Sequence, residues 1–292
     1  MKNKNAVLKI LAELCRLLIG VVFIFSGFVK AVDPMGGAIK IGEYLASFGL
    51  DMLQPFTVLL SFNLSAIEFA LGVCMLLGVY RRYVSFLILI FMAFMTPLTL
   101  YLALFDPVSD CGCFGDALVI SNWETFFKNI VLSLAAIVTF IYNQRLFQCF
   151  TFRAYWFVAL YAYLFGVGFA YYNYNHLPVI DFRPYKIGAN IPKLMEMPEE
   201  APQDEYKYTF VYEKDGVKKE FSLEDYPAND SSWTFVDSKT ELVKKGYQPP
   251  VAAFNIYNGK GDDVTEEIIG NPGPVLLLVA PKLEEADERA DG

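Results

Sequence analysis

The sequence predicts an all-α membrane bundle followed by a small α+β, β-rich soluble region, and three observations support this fold class. Of the 292 residues, 55% are hydrophobic and 16% are aromatic, and the mean hydropathy is positive. Five apolar segments are each long enough to cross a bilayer, which takes about 20 residues. Up to Ile180 there are 11 Lys/Arg and 9 Asp/Glu, whereas from Asp181 onward there are 13 and 23. The two parts are therefore expected to lie in different solvents.

The apolar segments predict five transmembrane helices. Between the first two, Ala38–Leu53 interleaves apolar and charged residues, which is typical of an amphipathic helix at the membrane surface. The N-terminus is basic, but Glu13 and Arg16 interrupt the apolar run and no small-residue cleavage site follows, so we favour a retained span over a signal peptide. The predicted spans are Leu11–Val29, Phe56–Tyr80, Tyr83–Phe105, Trp123–Tyr142 and Tyr155–Tyr172.

Positive charges predict the orientation of these spans. Arg81 and Arg82 join the second and third spans, and Arg145 and Arg153 flank the link between the fourth and fifth. In an alternating count, both clusters fall on the side of the basic N-terminus, and Lys and Arg concentrate on the cytoplasmic side. We therefore expect a multi-pass protein of the bacterial inner membrane, with a cytoplasmic N-terminus and a periplasmic C-terminal region. Membrane lipid is an expected partner, and nucleic acid is not, because neither part has a basic surface.

The region after the fifth span contains patterns typical of short strands. Tyr206–Tyr212 and Val217–Leu223 flank an Asp-Gly turn, which predicts a β-hairpin. Trp233–Asp237 and Val251–Tyr257 predict further strands, and the continuously apolar run Pro274–Ala280 is typical of a buried strand.

These patterns predict four segments along the chain. Residues 1–145 form a four-helix transmembrane unit, and residues 146–175 form the fifth transmembrane helix. Residues 176–273 form a periplasmic β-rich extension. Residues 274–292 are expected to begin a thioredoxin-like domain that is either truncated or redox-silent, because mostly charged residues and no cysteine follow the apolar run.

Two cysteines separated by one glycine, Cys111 and Cys113, are the sharpest chemical feature. Such a pair can close a small, strained disulfide ring, which is easier to reduce than a structural disulfide. The alternatives are a structural role, or a metal half-site completed by the only histidine, His176. Negative charge at Asp110 and Asp116 is expected to raise the thiol pKa and slow thiolate formation. The remaining cysteines are too far away to join a relay: Cys15, Cys74 and Cys149.

Glu68 lies near the middle of the second span, where an ionisable side chain is costly and normally faces the bundle interior. Ser26 and Thr96 are expected at the same depth, from a rise of about 1.5 Å per residue. In a functional role, Glu68 would be a proton site or would contact a quinone head group. In the alternative, it only fixes helix packing through an interhelical hydrogen bond. Lys30 and Lys128 are expected to extend to the membrane surface.

At this point the residues resemble a known family of membrane proteins, the DoxX-like proteins, and within them the branch of the methylamine utilisation protein MauE. The resemblance covers about Leu8 to Tyr142, and its most specific part is the Cys-Gly-Cys-Phe-Gly loop. The residues that carry it are Arg16, Gly20, Phe23, Gly27, Lys30, Glu68, Gly72, Gly78, the run Asp110–Gly115, and Trp123. The resemblance implies a four-helix unit. It also implies a role in maturing a periplasmic enzyme rich in disulfides, and a link to quinone-dependent oxidation.

The sequence therefore predicts a membrane-embedded thiol–disulfide redox component that acts on periplasmic dithiols. Cys111 and Cys113 would be the exchanging pair, a periplasmic thiol–disulfide protein the partner, and a quinone the electron acceptor near Glu68. As an enzyme, it would be a thiol–disulfide or quinone oxidoreductase. The alternative is a non-enzymatic membrane scaffold, whose C-terminal region binds a partner and whose Cys-Gly-Cys loop is structural.

Overall fold

The computed structural model describes residues 2–105, 108, 111–198, 205–214, 217–222, 233–244, 246–247, 249, 251 and 254–276. The chain divides into two compact units, residues 1–183 and residues 184–292. The first unit contains the helices α1 Lys2–Val32, α2 Pro34–Ser47, α3 Thr57–Leu77, α4 Arg81–Phe105, α5 Asn122–Ile141 and α6 Tyr155–Asn175. The second unit contains α7 Ile191–Met195, β1 Glu205–Lys214, β2 Val217–Ser222, β3 Thr234–Lys244 and α8 Thr265–Ile269.

Four of the helices in the described part of the chain are long and apolar enough to cross a membrane. They are α3 with the short 3₁₀ turn before it, α4, α5, and α6 with its preceding turn. These helices correspond to four of the five predicted spans, and the chain is a multi-pass membrane protein. Helix α1 covers the predicted first span and, with 31 residues, is longer than a bilayer crossing requires.

Helix α1 is the centre of the first unit, since it packs along α3, α5 and α6, while α4 packs mainly on α5. Glycines allow the closest approach between α1 and α3. A Cβ atom on Gly27 would lie 2.4 Å from the Phe69 backbone nitrogen, and one on Gly72 would lie 2.6 Å from that of Ile24. Both distances are too short for any side chain, so the glycines set the spacing between α1 and α3.

Side chains at the helix ends explain where several helices begin. Asp33 caps α2 by accepting a hydrogen bond from the Gly36 backbone N–H at 3.0 Å. Ser121 and Glu124 form a reciprocal capping box at the start of α5. Gly78 ends α3 in the left-handed conformation, at φ +66°. The amphipathic helix predicted over Ala38–Leu53 therefore begins earlier and ends at Ser47, where a 3₁₀ turn over Asp51–Phe56 leads into α3.

The links carrying the predicted cytoplasmic arginines lie together at one end of the bundle. Arg81 donates hydrogen bonds to the backbone carbonyls of Gln144 and Leu146, which belong to the link between α5 and α6. At the same end, Arg16 donates to the carbonyls of Met75 and Leu76. These carbonyls belong to the last turn of α3, where the regular i+4 hydrogen bonds of the helix end.

The second unit contains a three-stranded antiparallel sheet in the order β2-β1-β3. The predicted hairpin is present, with Phe210 opposite Phe221, and β3 covers and extends the strand predicted at Trp233–Asp237. The prediction of a strand over Val251–Tyr257 is wrong, because the described residues there form only an isolated bridge between Tyr257 and Asp263. In the predicted strand Pro274–Ala280, residues 274–276 have no regular structure, and residues 277–280 lie outside the described residues.

Candidate functional site

The Cys-Gly-Cys loop brings its two sulfur atoms face to face. The Sγ atoms of Cys111 and Cys113 lie 2.7 Å apart, and both residues are buried. A disulfide bond of about 2 Å would require only a small rotation of either side chain. Gly112 has a φ of +64°, and a side chain there would press on Lys40 of α2. The loop therefore depends on glycine both for its backbone conformation and for the space beneath α2.

Three neighbouring helices hold the loop inside the bundle. The Tyr44 hydroxyl of α2 donates to the Cys111 carbonyl at 2.8 Å, and the Ser26 hydroxyl of α1 lies 2.7 Å from the Cys113 carbonyl. Phe114 packs edge-on against Phe25, with ring centroids 5.3 Å apart. Its ring is buried because α1 and the Lys128 ammonium of α5, 4.2 Å from the ring centre, enclose it.

Glu68 lies directly beside the cysteine loop and is 2% exposed. Its carboxylate contacts the Lys30 ammonium at 2.6 and 2.8 Å and the Ser26 hydroxyl at 2.7 Å. Ser26 therefore joins Glu68 to the Cys113 backbone, as its predicted depth suggested. Thr96 does not take part, because it pairs with Ser133 at 2.7 Å.

Lys30 is the residue that the sequence reasoning missed. Its position at the end of the first span suggested a side chain extending to the surface, whereas its ammonium turns inward to Glu68. The available signal was the recurrence of Lys30 in the same family pattern that contains Glu68 and the cysteines. A buried carboxylate in a membrane bundle needs a partner, and Lys30 is the cation in reach.

The electrostatic surroundings make the two cysteines unequal. The hydrogen bond from the Cys111 thiol and the nearby ammonium groups of Lys128 and Lys30 lower the pKa of Cys113 below its usual range, although burial opposes this. The same hydrogen bond, together with burial, raises the pKa of Cys111 above its usual range. The pair therefore loses its first proton from Cys113 and holds the second on Cys111.

The lowered pKa of Cys113 is opposite to the direction expected from the neighbouring aspartates, whereas the pKa of Cys111 is raised, by its hydrogen bond to Cys113 and by burial. The charges that act most on the Cys113 sulfur are two lysines from α1 and α5, which are distant in sequence. Asp116 follows the pair, but it does not determine the pKa of Cys113, and Asp110 lies outside the described residues. A thiolate at neutral pH is the reactive form for exchange with disulfides.

Two cavities meet at this cluster. A cavity of about 310 Å³ extends from the cysteines between α2, α3 and α4, and apolar side chains such as Phe94 and Leu98 line most of it. A second cavity of about 30 Å³ lies on the side of Lys128 and Asn129. The polar residues that line both are Lys30, Glu68 and Cys113. The larger space has the size of a small-molecule site, and the smaller one has room for a water molecule.

The other predicted candidates lie elsewhere. Cys74 is buried in the apolar core, and Cys149 is exposed in the link after α5. The His176 ring stacks on Tyr172, with centroids 4.5 Å apart. Within the described ranges, no three His, Cys, Asp or Glu side chains are grouped so that they would hold a metal ion.

Comparison with known proteins adds two matches to family models. A domain of unknown function (DUF8463) matches residues 206–245, which contain the three-stranded sheet. The family described as methylamine utilisation protein MauE matches residues 8–142, which contain α1 from Leu8 to the end of α5 and every residue of the cysteine site. No curated protein and no solved structure matches the chain. Residues 8–142, which hold the cysteine site, are therefore similar to the MauE family of membrane proteins.

Proposed function

We propose that this protein is a membrane-embedded thiol–disulfide oxidoreductase, in which Cys111 and Cys113 exchange electrons with dithiols of a periplasmic protein. The observation that carries the proposal is the pair itself: two buried sulfurs lie 2.7 Å apart, and the surroundings lower the pKa of one of them. Oxidation of cysteines in a partner protein is also what the resemblance to the methylamine utilisation family implies. The proposed location is the bacterial inner membrane, with the pair on the periplasmic side.

The unequal pKa values assign a role to each sulfur. A disulfide breaks most readily when the sulfur with the lower thiol pKa leaves. A substrate thiolate therefore attacks Cys111, the Cys111–Cys113 bond breaks, and Cys113 leaves as a thiolate beside Lys30 and Lys128. The second substrate thiol, losing its proton, then attacks the mixed disulfide, and Cys111 leaves and takes up a proton. The substrate dithiol becomes a disulfide, and the site gains two electrons as a dithiol.

Restoring the disulfide requires a two-electron acceptor, and the larger cavity suits a lipid-soluble quinone. The cavity volume of about 310 Å³ is in the range of known small-molecule sites. Its walls are mainly apolar, and it ends at the cysteines, Glu68 and Lys30. A quinone supplies the capacity to accept two electrons and two protons. Within the chain, Lys30 and Glu68 would orient a polar head group, and Tyr44 would hold the Cys111 backbone near it.

Trapping of mixed disulfides tests the exchange proposal. In a chain whose other cysteines are replaced, Cys113→Ser should accumulate a mixed disulfide with a periplasmic protein on Cys111. The matched variant Cys111→Ser should accumulate much less, because Cys113 is the leaving sulfur. A structural loop, as in a scaffold, predicts no mixed disulfide with either variant and normal function of the double variant Cys111→Ser/Cys113→Ser. That result would refute the oxidoreductase function and support the alternative of a non-enzymatic scaffold.

Quinone binding is tested separately, by the quinone that co-purifies with the protein. Leu98→Trp places a large ring in the cavity and should reduce bound quinone severalfold. Ile90→Trp is the matched control, because it lies on the same helix with its side chain 51% exposed and does not line that cavity. Equal quinone content in both variants would remove the quinone from the proposal and leave the thiol exchange intact.

A further inference from the structure

We propose that Lys30 is a positioning residue of the cysteine pair, whose ammonium is shared between the Glu68 carboxylate and the Cys113 sulfur. Lys30 and Glu68 would then change the reactivity of Cys113 in opposite directions. This inference rests on the proposed thiol–disulfide function and adds to it the groups that set the reactivity of the pair.

The geometry places the three groups in one connected cluster. Lys30, Glu68 and Cys113 line both cavities, so all three form part of the wall between them. Lys30 contacts both carboxylate oxygens of Glu68, and Ser26 connects Glu68 to the Cys113 carbonyl. The Lys30 and Glu68 side chains are only 12% and 3% exposed. With so little water to screen them, their charges act on a neighbouring sulfur more strongly than surface charges would.

The net charge of the cluster around the cysteine pair depends on the redox state of the pair. In the reduced state, the ammonium groups of Lys30 and Lys128 stand opposite the Glu68 carboxylate and the Cys113 thiolate, so the cluster is neutral. When the disulfide forms, the thiolate charge disappears and one positive charge remains. Because net charge is costly at a buried site, the reduced state is favoured, and the disulfide should be a good oxidant of other thiols.

Among the described residues, α2, α4 and the loop contribute the other groups around the Cys113 sulfur. Helix α2 contributes Tyr44 and Lys40, and α4 contributes only uncharged side chains to the cavities. Lys40 pairs with Glu43 at 3.1 Å in a more exposed position. Asp116 is in the loop itself. The charges that act on Cys113 are Lys128 and Lys30, which favour its thiolate, and Glu68, which disfavours it.

The test is the pH dependence of alkylation of the reduced pair in purified full-length protein. Iodoacetamide modification is followed on the tryptic peptide 83–128, whose two cysteines are Cys111 and Cys113. Lys30→Met should raise the pH midpoint of Cys113 alkylation. A rise of about two units would lower the rate at pH 7 about tenfold. Lys30→Arg should retain the native midpoint, and Glu68→Gln should lower it.

The opposite signs separate this role from a purely structural ion pair. If Lys30 and Glu68 only fixed helix packing, their removal would shift the midpoint in the same direction or leave it unchanged, and either result would overturn the proposal. Glu13→Gln is the matched control, since Glu13 belongs to another ion pair of α1, with Arg16, and should leave the midpoint unchanged. If Lys30→Met does not fold, Glu68→Gln still decides, since a midpoint that is unchanged or raised would contradict the proposal.

These outcomes are distinct from failure of the proposed function. If the pair forms no mixed disulfide with a partner, the thiol–disulfide function fails, whatever the midpoints are. If the pair forms mixed disulfides normally, but the pH midpoint of Cys113 alkylation is the same in the Lys30 and Glu68 variants as in the native protein, only the proposed role of Lys30 fails.

Discussion

Replacing Cys111 by alanine should make Cys113 much less reactive at neutral pH. The hydrogen bond from the Cys111 thiol is the largest cause of the lowered pKa of Cys113. A free cysteine with a pKa near 8.5 is only about 3% thiolate at pH 7. Because a pKa lower by one unit raises that fraction about tenfold, native Cys113 should carry on the order of ten times more thiolate than a free cysteine.

In Cys111→Ala, burial still raises the pKa of Cys113 while only the lysines lower it. The pH midpoint should therefore move up toward the ordinary cysteine range, and alkylation at pH 7 should fall by about tenfold. Cys111→Ser is the matched variant, because its hydroxyl can still donate to the Cys113 sulfur, and its midpoint should lie between the two. The assay is the rate of iodoacetamide modification from pH 5 to 9, measured by mass spectrometry. A native midpoint near 8.5, or equal midpoints in all three proteins, would refute the assignment of Cys113 as the thiolate.

Three further predictions concern topology and packing. A periplasm-specific reporter fused after Tyr174 should be active; activity of a cytoplasm-specific reporter at that position would place the cysteine loop in a reducing compartment and reverse the orientation. Gly27→Leu should separate α1 from α3 and lower thermal stability in detergent, by an overpacking cost of about 1–3 kcal/mol or more. Gly168→Ala is the control and should be neutral, because a Cβ there meets nothing within 4 Å. Equal melting temperatures of Gly27→Leu and Gly168→Ala would contradict the close contact between α1 and α3. Ser121→Ala should cost about 1 kcal/mol through loss of the N-cap of α5, measured by chemical denaturation; no change would mean that the cap is dispensable.

The membrane bundle could be predicted because its physical causes are local. A span must be about 20 apolar residues long, so its existence is visible in composition. The ends of helices α3 to α6 were also close to prediction, and Gly78 ends α3 by acting on its immediate neighbours. Helix α2 instead begins four residues before the predicted helix and ends six residues earlier. The hairpin of β1 and β2 followed from two β-rich runs around a two-residue turn. The strand expected at Val251–Tyr257 failed because a short apolar run does not by itself specify strand partners.

The site divides in the same way. The sequence alone identified Cys111 and Cys113 by their spacing and Glu68 by its cost inside a membrane. Only the tertiary structure decided what surrounds them, because Lys30, Glu68, Cys113 and Lys128 come from different segments that meet across the bundle. Local sequence suggested aspartates as the charges next to the thiols, and the fold also brings Lys30 and Lys128 to Cys113. Electrostatic effects depend on distance in space and on burial, and neither can be read from positions along the chain.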